Sequence, residues 1–141
     1  MTRAQTEQAE TASDHEAQPR LAPPRFAIVI PMLDEGATAV SLLEACCNAA
    51  LPLGPFEICV TDDGSRDDTG AALESFAAAR PDVPVTIVTH TRPAGQSAAV
   101  HAAVRAARAP LICTLDGDGQ NPPEEIPNLL APLLADTVAP H

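Results

Sequence analysis

Four apolar runs, each closing on a polar loop and each followed by a helix-length segment, constrain this chain more than any other feature. The runs are residues 25–30, 56–61, 85–89 and 109–114. The first is a β-branched run of the kind expected for a strand buried on both faces. Residues 37–51, 69–79 and 97–107 lie between them and read as helices, and another helix starts near residue 121. The order is therefore β-α-β-α-β-α-β-α with short connections. That order predicts an α/β fold, a mostly parallel sheet flanked by helices on both faces.

Local punctuation sets the expected limits. Pro31 should end the first strand, because proline supplies no ladder donor. Val40, Leu43 and Cys47, with Leu42 and Cys46 beside them, should form the buried side of the first helix. Asp67 or Asp68 should cap the second helix, with Leu73 and Phe76 facing inward. Residues 1–24 are polar, charged and proline-punctuated, and are expected to be a disordered tail. Residues 25–141 are then a single domain.

Composition narrows the function classes. Hydrophobic residues make up 45% of the chain but aromatics only 2%, so the core must be built from Val, Ile, Leu and Ala. Aromatic platforms for single-stranded nucleic acid are missing, and a net charge of −11 opposes duplex binding; no nucleic acid partner is expected. An acidic chain that handles phosphates needs a metal or backbone N–H groups to offset repulsion. The four cysteines (Cys46, Cys47, Cys59 and Cys113) form no C-x-x-C pair and read as small buried hydrophobes. No apolar stretch approaches the roughly 18–20 residues that span a bilayer, and no secretory h-region opens the chain. The expected location is cytoplasmic, with peripheral membrane contact left open.

In open parallel sheets, ligands bind beyond the carboxyl ends of the strands. Three acidic loops fall there: Asp34-Glu35, Asp62-Asp63-Gly64-Ser65 and Asp116-Gly117-Asp118-Gly119-Gln120. Asp62 and Asp63 could accept hydrogen bonds from a base or a ribose, and Gly64 would let the backbone approach a ligand; the same four residues also make ordinary turn chemistry before a helix. Pro31 and Glu35 likewise fit either a pocket or a simple helix start. His90, Arg92 and His101 are the cationic candidates, each of which also reads as a solvated side chain.

Asp116 and Asp118, one residue apart with Gln120 two further on, are hard oxygen donors suited to Mg²⁺ or Mn²⁺. A calcium loop counted from Asp116 would need Gly and Glu where Asn121 and Pro127 stand. A haloacid-dehalogenase-type phosphatase also has Asp-x-Asp-Gly after a strand, but that motif normally opens its domain. A receiver domain needs a lysine, and this chain has none.

Taken together, four pieces resemble the family-2 glycosyltransferases of the GT-A fold. They are Ile28-Val29-Ile30-Pro31 with Glu35, then Val60-Thr61-Asp62-Asp63-Gly64-Ser65, then Gly95-Gln96-Ser97-Ala98-Ala99, and the stretch from Leu115 through Asp116, Asp118 and Gln120 to Pro127. The likeness is to the branch that transfers a sugar from a nucleotide to polyprenyl (dolichyl or undecaprenyl) phosphate. It implies a Rossmann-like nucleotide-binding half, with Pro31, Glu35, Asp62, Asp63 and Gly64 at the nucleoside. It further implies Asp116 and Asp118 as catalytic residues that, with Gln120, hold a divalent metal on the donor diphosphate. The implied partners are a nucleotide-sugar donor and a polyprenyl phosphate acceptor; the implied reaction is an inverting displacement needing no side-chain base. Asp34 stands where the family usually has Asn. In the family a later half binds the acceptor, so this chain is expected to be the donor-binding half, truncated after the metal motif. A non-catalytic nucleotide- or metal-binding remnant is the alternative.

Overall fold

A computed structural model describes residues 21–118 and 122–138, the side chains of 136–138 excepted. The expected disordered tail thus lies outside the described residues as far as residue 20, while 21–24 form neither helix nor strand. The elements are β1 (Phe26–Met32), α1 (Ala39–Ala50), β2 (Phe56–Asp62), α2 (Thr69–Ala79), β3 (Val85–Thr89), α3 (Gln96–Ala106), β4 (Leu111–Thr114) and α4 (Ile126–Val138). Short 3-10 turns at Leu51–Leu53 and Pro123–Glu125 follow α1 and precede α4.

All four strands are parallel, in the order β3-β2-β1-β4. Every residue of β1 and β2 is buried, which is why β1 reads as an unbroken apolar run; β2 also buries Glu57, Thr61 and Asp62. Alternate side chains divide between two faces. Phe26, Ile28, Ile30, Phe56, Ile58 and Val60 join the main core under α1, α2 and α4. Val29 and Cys59 face the other way, against Ala103 of α3. Alanine lets α3 lie close to the sheet, and the buried Thr61 hydroxyl donates to the Ala99 carbonyl at 2.7 Å. Phe26 and Phe56, paired in register, stack with ring centroids 5.7 Å apart.

Three expectations are corrected. β1 does not end before Pro31 but runs through it, Pro31 pairing in register with Thr61. Val29 O accepts the Leu115 N–H on the β4 side and Met32 O accepts the Asp63 N–H on the β2 side. Two residues beyond Val29, Pro31 turns its nitrogen toward the β4 side just where that strand has ended, so no ladder donor is lost. On α1 the buried stripe is Ala39, Leu43, Cys46, Cys47 and Ala50, and Val40 is 39% exposed. The small Ala39 fits where the helix meets its neighbours; Val40 lies about 100° round the axis. β4 starts at Leu111 rather than at residue 109, because the Ala109 amide donates to Glu57 instead of to a ladder.

Candidate functional site

β1 lies between β2 and β4, so the chain crosses from one side of β1 to the other between β3 and β4. At such a reversal the loops splay apart beyond the strand ends and leave a crevice. A cleft of about 300 Å³ lies there. It is lined by Pro31, Met32, Leu33 and Glu35 at the end of β1 and by Asp116, Gly117 and Asp118 just beyond β4. Gly95 and Gln96 enter from the loop between β3 and α3, with Asp63 beneath them.

The β1 and β2 loops are sewn together by side chains. Asp34 N–H donates to Ser65 Oγ at 2.8 Å, and Asp34 Oδ1 accepts the Arg66 N–H at 2.8 Å. Glu35 N–H donates to Thr69 Oγ1 at 2.9 Å and Gly36 N–H to Asp67 Oδ2 at 3.0 Å. Asp34 has a φ of +56°, a conformation that Asp and Asn tolerate better than most residues. Asp68 occupies the N-cap position of α2, but it is Asp67 Oδ1 that accepts the Thr69 amide.

Asp62 and Asp63 are both nearly buried, yet they serve differently. Asp62 turns back, its Oδ1 accepting the Ser65 N–H at 3.0 Å, and it is not on the cleft wall. Asp63 reaches forward to the β3–α3 loop. Its Oδ1 takes the His90 Nδ1 proton and the Ala94 N–H, both at 2.8 Å, and its Oδ2 takes the Gly95 N–H at 3.0 Å. Burial pushes the Asp63 carboxyl up, but these hydrogen bonds together hold it below its ordinary value. His90 is therefore part of the scaffold rather than a solvated cation. Gly64, with φ +80°, packs so closely on the Arg92–Pro93 backbone that any Cβ would collide with it. It too builds the wall from behind.

Of the expected site residues, Pro31, Glu35, Asp63, Asp116 and Asp118 meet at this cleft, and Asp62 and Gly64 stand behind it. Gln120 lies outside the described residues. Gln96 belongs to the Gly95-Gln96-Ser97 piece, to which the sequence reading attached no role; its Nε2 donates to Asp116 Oδ1 at 3.1 Å. Gly117 passes so close to the Pro31 carbonyl and Met32 that a side chain there has no room. That contact presses the two carboxylates against the end of β1.

Among the described residues no group of three or more His, Cys, Asp or Glu could hold a metal. The cleft supplies two carboxylates one residue apart. Such a donor set fits a hard divalent cation that keeps waters and takes substrate phosphate oxygens for the remaining positions. No cysteine lines the cleft: all four are buried in the cores, where burial raises Cys46 and Cys59 to about 12 and Cys47 to about 11.

The model of glycosyl transferase family 2 matches residues 27–139, nearly the whole described domain. The chain belongs to this family. The family-2 domain is 46% identical over 105 residues to the undecaprenyl-phosphate 4-deoxy-4-formamido-L-arabinose transferase of Shewanella sediminis, covering 74% of this chain and 31% of that protein. The enzyme of the same name from Pseudomonas fluorescens is 45% identical over 107 residues, covering 74% and 31%. The chain thus spans about a third of the length of these curated relatives. Among solved structures, the Pyrobaculum calidifontis mannosyltransferase in complex with GDP-mannose and Mn²⁺ superposes with a TM-score of 0.65 at 26% identity, over 82% of this chain and 35% of that one. S. aureus TarS shares the fold, with a TM-score of 0.64 at 19% identity over 79% of this chain and 32% of its own. The parallel, Rossmann-like half-sheet of the family-2 domain is thereby that of the GT-A glycosyltransferases.

Proposed function

We propose that this domain is the donor-binding part of an inverting glycosyltransferase that moves a sugar from a nucleotide-sugar to a polyprenyl phosphate. One observation carries the reading: Pro31, Glu35, Asp116 and Asp118 line a single cleft at the reversal of the sheet. A nucleoside on the β1 wall would then place its diphosphate beside the two carboxylates. The names of the curated relatives support a polyprenyl phosphate acceptor, and the GDP-mannose and Mn²⁺ bound in a structural neighbour support the donor and metal.

Pro31 and Glu35 contact the nucleoside in this reading. Asp63 holds the loop that closes over it, and Asp62 and Gly64 keep that loop's support rigid. Asp116 and Asp118, with Gln120, would hold a Mg²⁺ or Mn²⁺ ion, and such an ion would supply positive charge against the departing diphosphate. The acceptor phosphate oxygen attacks the anomeric carbon as the bond to the donor phosphate oxygen breaks. The electron pair leaves with the nucleoside diphosphate, and the configuration at carbon inverts. The acceptor is already an anion, so no protein base has to remove a proton. Such an acceptor places the reaction at the cytoplasmic membrane face, although no helix among the described residues is long and apolar enough to cross a membrane.

Calorimetric titration with UDP and GDP, with and without Mn²⁺, tests the donor site. Metal-dependent binding that Asp118→Ala abolishes is the expected result; no binding of either nucleotide would overturn it. Transfer of labelled sugar to undecaprenyl phosphate then separates an enzyme from a binding remnant. Release of phosphate from simple phosphomonoesters, lost in Asp116→Asn, would instead restore the phosphatase reading.

A further inference from the structure

We propose that Gln96 is a positioning residue for Asp116, holding that carboxylate in the orientation that receives the metal-bound diphosphate. This inference rests on the donor-site reading above. The two residues are 20 apart in sequence and come from different elements, yet Gln96 Nε2 lies 3.1 Å from Asp116 Oδ1. An ionised carboxylate only accepts, so the amide nitrogen is the end of Gln96 that must face it.

The position of Gln96 is well determined. It is the first residue of α3, following Gly95 at φ +105°. The amides of Ala94 and Gly95 both end on the buried Asp63 carboxylate. One turn further on, the Thr61 hydroxyl holds the Ala99 carbonyl. A loop fixed at both of these points holds the backbone of Gln96 beside the end of β4, and from there its exposed side chain reaches Asp116.

Its chemistry suits the place. Glu35, Asp63, Asp116 and Asp118 share this cleft in a chain of net charge −11. A lysine or arginine at position 96 would neutralise Asp116 and compete with a cation. A carboxamide satisfies one carboxylate oxygen while leaving the full negative charge in the cleft. Orientation is thus supplied without loss of metal affinity.

The test measures UDP binding by calorimetry on the full chain, with and without Mn²⁺, for the parent, Gln96→Ala, Asp116→Ala and the double variant. Gln96→Ala should weaken Mn²⁺-dependent binding about ten-fold, the usual scale for a hydrogen bond to a charged group. Metal-free UDP binding should be unchanged, and the loss should vanish in the Asp116→Ala background. Gln96→Met keeps the side-chain length without the donor and should reproduce the loss with an unchanged melting curve. Equal losses with and without Mn²⁺, or a loss that persists without Asp116, would overturn the positioning role. Parent-like binding in both Gln96 variants would overturn it too, leaving the donor site intact. Absence of metal-dependent binding in the parent itself would remove the donor-site reading and this inference together.

Discussion

Asp63 and His90, each just beyond the end of its strand, are joined by a 2.8 Å hydrogen bond between Oδ1 and Nδ1. With the Ala94 and Gly95 amides on the same carboxylate, the bond converts an acidic turn into the support for the loop that carries Gln96. Because Asp63 is held below its unfolded value of 3.8, its ionised form favours the folded state. The contribution is complete above pH 3.8 and is lost as pH falls through the lower folded value. Acid unfolding of the parent, compared with Asp63→Asn by circular dichroism, should show this part of the pH dependence in the parent alone. Asp63→Asn should also lower stability at neutral pH by about 1–3 kcal/mol, since hydrogen bonds to a charged acceptor lose strength when it becomes neutral.

Gly117→Ala should damage the site while leaving the sheet formed. A Cβ there meets the Pro31 carbonyl and Met32, and the simplest relief moves the turn bearing Asp116 and Asp118 away from β1. Metal-assisted nucleotide binding should fall by about ten-fold or more, because roughly 1.4 kcal/mol of misplacement suffices. The comparison is calorimetry on Gly117→Ala beside a far-UV circular dichroism spectrum, which should match that of the parent.

Glu57 is a buried acid with a structural task. Its Oε2 accepts the Arg108 and Ala109 amides at 2.6 and 2.8 Å, anchoring the segment that leads into β4 from two strands away. Among the described residues β4 pairs only with β1, over four residues. Glu57→Ala leaves two amides without their acceptor and should cost about 2–6 kcal/mol, near 1–3 for each group. Urea denaturation measures the loss, and amide exchange should rise first at residues 108–114.

The cysteines supply a test of packing. All four are free and buried, and burial raises each thiol. Thiolates are the reactive species, so the native protein at pH 8 should resist iodoacetamide, whereas all four should react in guanidinium chloride. Mass spectrometry counts the adducts; rapid native labelling of Cys46 would contradict the close packing of α1 on the core.

Much of the fold is legible in the chain because its signals are local. The run at β1 is apolar throughout because that strand is buried on both faces. The limits of α2 and β3 follow from the residues that flank them. Where reading failed, a distant group had intervened. Pro31 continues β1 because β4 stops beside it, and Ala109 leaves β4 because Glu57 takes its amide. Val40 is exposed because the phase of α1 is set by its packing on the core, which buries Ala39, Leu43, Cys46 and Ala50 along one stripe.

The amino-acid sequence by itself determined that the sheet is parallel, since helix-length connections forbid hairpins, and that acidic loops gather at one end of it. Only the tertiary structure decided what each acid does there. Strand order placed β1 between β2 and β4, so the turn after β4 and the β1 loop line one cleft. Asp116 and Asp118 consequently line that cleft, while Asp62 turns behind it and Asp63 underpins its loop. Two adjacent aspartates are chemically identical in a sequence; the alternation of a strand and the loop opposite each one send them to different work.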